Sequence, residues 1–241
     1  MKIMRAICTT ILCFAMHTAI AAEFRLNSGA PESLSNDTND AFYNLIAIEI
    51  FKRLGMTLHY SRLPSERSLI QANNGIDDGN IARVKGIEKK WSHLIRVPES
   101  IIKWHFSAYS HSDDISINGW ESLRSYPVGF VRGWQIYQNK MSGVKNVILA
   151  NTPDQLFTIL KKGHIKIALF EQLQSHYWFK KMNYTPVKLS PTLAKKSLYI
   201  YLHEKHHQLV PRMAVIISQM KQDGTYQRIY NQCFGQLGMG T

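Results

Sequence analysis

The sequence predicts an α/β protein, and three observations carry that reading. Strand-like and helix-like segments alternate nearly throughout from residue 24 onward, the pattern that builds a mostly parallel sheet flanked by helices. The composition, 45% hydrophobic and 19% charged with 14 Gly and 8 Pro in 241 residues, supports a sizeable core and excludes disorder and low complexity. A polar, turn-rich stretch at 110–119 then separates two alternating series, so the length divides into two small lobes with a boundary near 108.

In the first series, residues 24–27 read as a short strand and 37–40 offer helix caps. Phe42, Leu45, Ile46, Ile50 and Leu54 recur at helical spacing until Gly55 stops the helix. Residues 57–63 read as a second strand. Pro64 and Ser65 start a helix that runs through Ala72 and ends at Asn73-Asn74-Gly75. Residues 76–81 form a weak strand containing Asp77, Asp78 and Gly79, and 101–109 a stronger one carrying Trp104, Phe106 and Tyr109.

The second series opens with a strand at 128–131, a helix near 135–141 and a strand at 147–149. A helix capped by Thr152-Pro153 runs to Lys162 and is stopped by Gly163; a strand at 165–170 and a helix at 172–182 follow. Residues 184–189 and 198–202 are strand-like, and the tail is two helices, about 207–221 and 225–234, split by Asp223-Gly224.

Residues 1–21 have the parts of a secretory signal: Lys2 and Arg5, an apolar run from Ala6 to Met16, and the small-residue tripeptide Ala19-Ile20-Ala21. Cleavage after Ala21, or after Ala22, is expected, giving a protein exported to the periplasm. The apolar run is too short to span a bilayer. Cys8 and Cys13 leave with the leader, so Cys233 alone remains and no internal disulfide forms. Losing Lys2 and Arg5 takes the formal charge from +12 to +10, which suits an anionic ligand, an anionic surface or simple solubility. Export, with no clustered basic helix or finger motif, argues against nucleic acid.

Several motifs bear chemistry. His203-Glu204-Lys205-His206-His207 matches H-E-x-x-H, but it starts at a strand end and no third ligand stands out, so no metal is expected and a solvated, His-rich helix start is the reading. Val128 to Trp134 runs from a strand through Gly129 and Gly133 into a helix, where backbone N–H groups attract an anion and Arg132 reinforces them; on this signal alone an ordinary turn, with Gly133 there for its backbone angles, is the favoured explanation. Arg67, at a helix start, and Arg83, just past a strand, lie at strand-to-helix connections where α/β sheets meet ligands, and each is able to grip a carboxylate or pair with a surface acid. Glu171 is suited to binding an ammonium, acting as an acid or capping its helix. Trp104, Trp134, Tyr177 and Trp178 are of a type more often found in core than in cleft.

Over its whole mature length the chain resembles the periplasmic solute-binding proteins of family 3, which include the amino-acid-binding components of ABC transporters. The residues that carry this are Phe51-Lys52-Arg53-Leu54-Gly55-Met56, Leu63-Pro64-Ser65-Glu66-Arg67, Asn74-Gly75, Asp78-Gly79 with Arg83, and Ile95-Arg96-Val97-Pro98-Glu99. Val128-Gly129 with Gly133, Gly163 with 165–171, and Met220-Lys221-Gln222-Asp223-Gly224-Thr225-Tyr226 complete them. The resemblance implies a type II, two-lobed periplasmic binding protein fold with crossing segments near 107 and 200: lobe 1 at 22–107, lobe 2 at 108–199, and 200–241 returning to lobe 1. It places Glu171 at the acidic position that meets a ligand's amino group. The chain departs from the family where an α-carboxylate is held, with Ile87-Glu88-Lys89-Lys90 in place of Thr-x-x-Arg and Gly133-Trp134 in place of Gly-Thr, which argues against an ordinary amino acid ligand.

The function expected is that of a monomeric, non-enzymatic binding protein, without cofactor, that closes on a small anionic or zwitterionic solute through Arg67, Arg83, Arg132, Trp134 and Glu171. It would deliver that solute to an ABC transporter permease or a membrane sensor. The alternative is an enzyme on the same scaffold, similar to periplasmic cyclohexadienyl dehydratases, with Glu171 as general acid.

Overall fold

The structure is a computed structural model that describes residues 23–29 and 37–235, with side chains from residue 41 in the second stretch. The expected leader, its cleavage point and the capping side chains of 37–40 lie outside the described residues. The first helix, α1 (Asp37–Leu54), buries Phe42, Tyr43, Ile46, Ala47, Ile50 and Phe51 on one stripe, and Gly55, at φ +71°, takes the left-handed conformation that ends it. It connects β1 (Phe24–Ser28) to β2 (Leu58–Arg62), and α2 (Ser65–Asn73) connects β2 to β3 (Gly79–Val84). These three strands pair in parallel, as strands joined by helices must.

After β4 (Leu94–Arg96) and the long β5 (Ile102–Ser110), the pattern repeats. β6 (Val128–Val131), β7 (Val147–Ala150) and β8 (Ile167–Glu171) are parallel and connected by α3 (Gln135–Lys140) and α4 (Pro153–Lys161). The Thr152 hydroxyl caps α4 by accepting from the Gln155 N–H at 3.2 Å, and the helix buries Leu156, Phe157 and Leu160. α5 (Gln172–Met182), β9 (Val187–Lys188), β10 (Ala194–His203), α6 (Leu209–Gln222) and α7 (Thr225–Phe234) complete the chain.

The strands form one path in the order β2-β1-β3-β10-β5-β8-β6-β7. Its two ends are parallel trios and its middle is antiparallel, because β10 runs against both β3 and β5, and β5 runs against β8. Two hydrophobic cores lie on this path. One gathers Phe24, Phe42, Ile46, Ile50, Ile81 and Ile102 with Leu198, Leu202, Met213 and Phe234; the other gathers Phe106, Tyr109, Val128, Phe130, Tyr137, Phe157 and Phe170. The chain therefore crosses between cores inside β5, from Ile102 to Phe106, and inside β10, between Ala194 and Leu198. These crossings pair directly, Ala194 with Phe106 through to Leu198 with Ile102.

Three strands differ from the sequence expectation. The strand read at 76–81 starts at Gly79, because the N–H groups of Ile76 and Asp77 bond back to Gln71 O and Asp78 is held by the backbone of Arg25. The final strand reaches back to Ala194, where exposed Lys195 and Lys196 masked it, and β4 pairs with it unannounced. The strand at 184–189 shrinks to Val187–Lys188.

Gly79 marks where β3 meets β10: a Cβ there would stand 2.5 Å from Tyr201 O and 3.0 Å from Leu26 Cδ1. Gly79→Ala should therefore lower stability by about 1 to 3 kcal/mol, the usual cost of overpacking. Denaturant unfolding of the two proteins side by side checks this; equal midpoints would mean that the strands separate freely at this position.

Candidate functional site

A cavity of about 920 Å³ lies between the two cores. Its first wall comes from the C-terminal ends of β1 and β3 (Ser28, Gly29, Ala82 to Val84), Ser65 and Leu69 of α2, and the segment from Lys85 to Lys89. The second wall is Gly133 to Ile136, Asn139 and Gln174. The floor is the crossover itself, with Trp104 and Phe106 from β5 and Lys195, Lys196 and Ser197 from β10. Carboxyl ends of strands are where α/β sheets present ligand sites, since the loops there are free to vary.

Arg83 is fixed into the first wall without an ion pair among the described residues. Its Nε donates to Asn80 Oδ1 at 2.6 Å, Nη1 to Ser65 Oγ and Nη2 to Ser65 O at 3.0 Å each, and Nη2 also to Ser68 Oγ at 2.5 Å. The amide nitrogen of Asn80 donates to Asn27 Oδ1, and Asn27 Nδ2 donates to Ser68 O at 3.0 Å and to Asp77 Oδ2 at 2.6 Å. Two amides thus stand in series between the guanidinium and the nearest acid of this chain of bonds, each with its oxygen toward Arg83 and its nitrogen toward Asp77. Among the described residues no carboxylate forms an ion pair with Arg83, and burial lowers its guanidinium from 12.5 to about 10. It remains a cation at neutral pH. A Cβ on Gly29 would collide with Arg83 Nη2 and Ser68 Oγ, so glycine there leaves the guanidinium its space.

The rest of the lining is basic and aromatic. Lys85, Lys89, Lys195 and Lys196 join Arg83, and among the described lining residues the one acid is Glu88, whose Oε2 already accepts from Gly86 N at 2.9 Å and Tyr201 OH at 2.8 Å. Trp134 packs against Trp104 at 5.3 Å between ring centroids and edge-on to Phe106 at 5.6 Å. The indole nitrogens of Trp104 and Trp134 are buried with no hydrogen-bond partner among the described residues. Trp134 is 5% exposed, packed in the second core, and part of the cavity lining.

The structure brings Arg83 and Trp134 together at this cavity and leaves the other three candidates outside its lining. Arg67 is exposed on the first turn of α2, two residues beyond Ser65, and Arg132 is exposed beside Gly133. Glu171 is fully buried where β8 runs into α5. Its Oε2 accepts from the Gln174 N–H at 3.0 Å and its Oε1 from the His105 N–H at 3.2 Å, with further backbone bonds from Leu173 and Gln172. Burial raises its carboxyl from 4.5 to about 7 while those N–H groups pull the other way. Residues the sequence reading passed over are Asn27 and Asn80, lone polar residues inside strands, and Lys195 and Lys196, whose doublet was the available signal.

The H-E-x-x-H match falls across a strand end and a 3-10 turn, with His203 closing β10, Glu204–His206 in the turn and His207 just after it. Separately, His93, His203 and Glu204 offer ligand atoms within 4.8 Å of one another. Those atoms are engaged with each other and with the backbone: His93 Nδ1 meets Glu204 Oε1 at 2.8 Å, and His203 Nδ1 accepts from Lys205 N at 3.2 Å.

No protein-family model matches the chain. It is 26% identical over 196 residues to an uncharacterized protein of Shewanella oneidensis, spanning 78% of this chain and 74% of that one. Among solved structures it is similar to a histidine kinase sensor domain described as resembling periplasmic binding proteins (TM-score 0.69, 17% identity, 89% of this chain and 96% of that one). It is also similar to an ancestral arginine-binding protein bound to glutamine (0.64, 20%, 88% and 98%) and to the substrate-binding protein of an amino acid ABC transporter (0.62, 14%, 88% and 99%). The fold is the two-lobed one of periplasmic binding proteins.

Glu171 makes stability depend on pH in a defined direction. Because its folded-state value is raised, the folded protein binds a proton that the unfolded chain releases near 4.5; this stabilisation is complete below 4.5 and is lost as pH rises through about 7. Melting temperatures of wild type and Glu171→Gln, measured from pH 5 to pH 8, should show wild type losing ground to the variant as pH rises. A constant gap would show that Glu171 does not titrate in this window.

Proposed function

We propose that the chain is a periplasmic solute-binding protein whose two lobes close on a small anionic solute held by Arg83. The observation that carries this is Arg83 itself: a half-buried cation, held in place by four neutral acceptors on Asn80, Ser65 and Ser68, facing a cavity large enough for a small molecule. Burying an unpaired charge is costly, and an anion entering the cavity would supply the missing partner. Trp134, from the opposite wall, would meet the same solute when the lobes approach. Arg67 and Arg132, exposed beyond the lining, would add to the long-range attraction of an anion, and Glu171 would hold the wall by capping α5.

The charged start, the apolar run and Ala19-Ile20-Ala21 support a periplasmic location, and no helix among the described residues is long and apolar enough to cross a membrane. Handing the solute to a transporter permease or to a membrane sensor would fit the descriptions of the similar structures. A catalytic role with Glu171 as acid finds less support, because its carboxyl is occupied by backbone N–H groups away from the cavity lining.

Native mass spectrometry of the protein as purified should reveal a retained anionic molecule. Titration calorimetry with that molecule should show Arg83→Ala binding it well over tenfold more weakly, since removing one partner of a buried, hydrogen-bonded charge pair costs about 2 to 5 kcal/mol. Equal affinities of the two proteins would rule out Arg83 as the anchor.

A further inference from the structure

The binding-protein reading leaves the solute's chemistry open between anion and zwitterion, and the lining discriminates between them. A zwitterionic amino acid needs an acceptor for its ammonium as well as a donor for its carboxylate. Among the described residues the donors are plentiful: Arg83 and four lysines border the cavity. The one acid that borders it, Glu88, has Oε2 committed to Gly86 N and Tyr201 OH, and the buried carboxylate of Glu171 is committed to helix α5. An ammonium in this cavity would meet a field of its own sign, and leaving such a group desolvated without a partner is strongly unfavourable.

The apolar side of the lining is equally specific. Trp104 and Phe106 on the floor and Trp134 on the wall make a continuous aromatic surface, with centroids 5.3 to 6.1 Å apart. Such a surface is matched by a flat apolar body.

Resting on the binding-protein reading, we propose that the solute is an organic anion with a planar apolar body and no ammonium group, its oxyanion at Arg83 and its ring against Trp104 and Trp134. Among the described residues, the excess of positive charge at the lining, Arg83 and four lysines against Glu88, discriminates against the corresponding amino acid rather than size does, a negative selection by charge. Lys195 and Lys196, exposed at the cavity floor, strengthen the attraction without gripping the ligand.

The test is calorimetric titration of the protein, after partial unfolding and refolding to strip any retained molecule, with two matched pairs that differ only by the α-ammonium: 3-phenylpropanoate against phenylalanine, and indole-3-propanoate against tryptophan. Inorganic phosphate serves as a bare oxyanion. At least one propanoate should bind at least tenfold more tightly than its amino acid and than phosphate. Trp134→Leu should weaken that propanoate by about tenfold or more. The pair Lys195→Gln with Lys196→Gln, exposed and therefore harmless to folding, should weaken it several-fold at low salt and little at high salt. Arg83→Gln should abolish it, and the lysine pair keeps the test decisive if that variant does not fold. Amino acids binding as well as the propanoates, phosphate binding as well as either, or no propanoate binding at all would each overturn the inference. The binding-protein reading is judged separately by the molecule retained on purification: a retained solute bearing an ammonium sinks the inference and leaves that reading standing.

Discussion

The interaction on which the site depends is the bond chain from Asp77 through Asn27 and Asn80 to Arg83. An arginine brought to the edge of a core must have its N–H groups satisfied, and the ordinary solution is a carboxylate. Here the acid stands two amides away, and Ser65 and Ser68 accept from Nη1 and Nη2, which leaves one Nη1 donor without a hydrogen-bond partner among the described residues. The guanidinium is thereby oriented without being neutralised. The same bonds tie β1, β3 and the start of α2 together, so the residues that fix the charge also fix the wall it belongs to. Glycine at 29 is a consequence, because the guanidinium and the Ser68 hydroxyl fill the volume a side chain would need.

On the other side of the cavity the constraint is packing rather than hydrogen bonding. Trp134 sits at the turn where β6 gives way to α3, wedged among Trp104, Phe106, Tyr137 and Phe170. Its ring belongs to the second core, yet its place at the end of β6 puts it on the surface of the cleft. Glu171 does comparable work one strand away, where its carboxylate closes off the first turn of α5 and reaches the backbone of β5. Trp134 thus serves core and cleft at once, while Glu171 braces the same side from within.

The parts of this architecture legible in the sequence are those governed by local patterning. The stripe Phe42, Ile46, Ile50 and the stop at Gly55 define α1, and Thr152-Pro153 with Gly163 brackets α4, because helix spacing and caps are written in neighbouring residues. β10 was read at half its length, since Lys195 and Lys196 are strand residues for a tertiary reason: they pair with β5 at the crossover. Arg83 was visible through its position past Asp78-Gly79, whereas Asn27 and Asn80 were not, because a polar residue in a strand acquires meaning only from what lies across the sheet. The two alternating series and the polar stretch at 110–119 pointed to two lobes, and the crossing segments near 107 and 200 came from the family resemblance. Arg67 and Arg132 share the strand-to-helix signal of Arg83 yet stand in solvent, a difference decided by side-chain direction, on which spacing is silent.

The crossover has a mechanical meaning. Both connections between the lobes are single strands, and they are bonded to each other from Ala194 with Phe106 to Leu198 with Ile102. Any rotation of one lobe against the other must twist this two-stranded ribbon, which makes it a torsion spring. The floor of the cavity is that spring: Trp104, Phe106, Lys195 and Lys196 are its own side chains. A molecule resting there sits at the fulcrum, where displacement is least, so it acts on the stiffness of the ribbon while the distant rims of the lobes sweep through the larger arc.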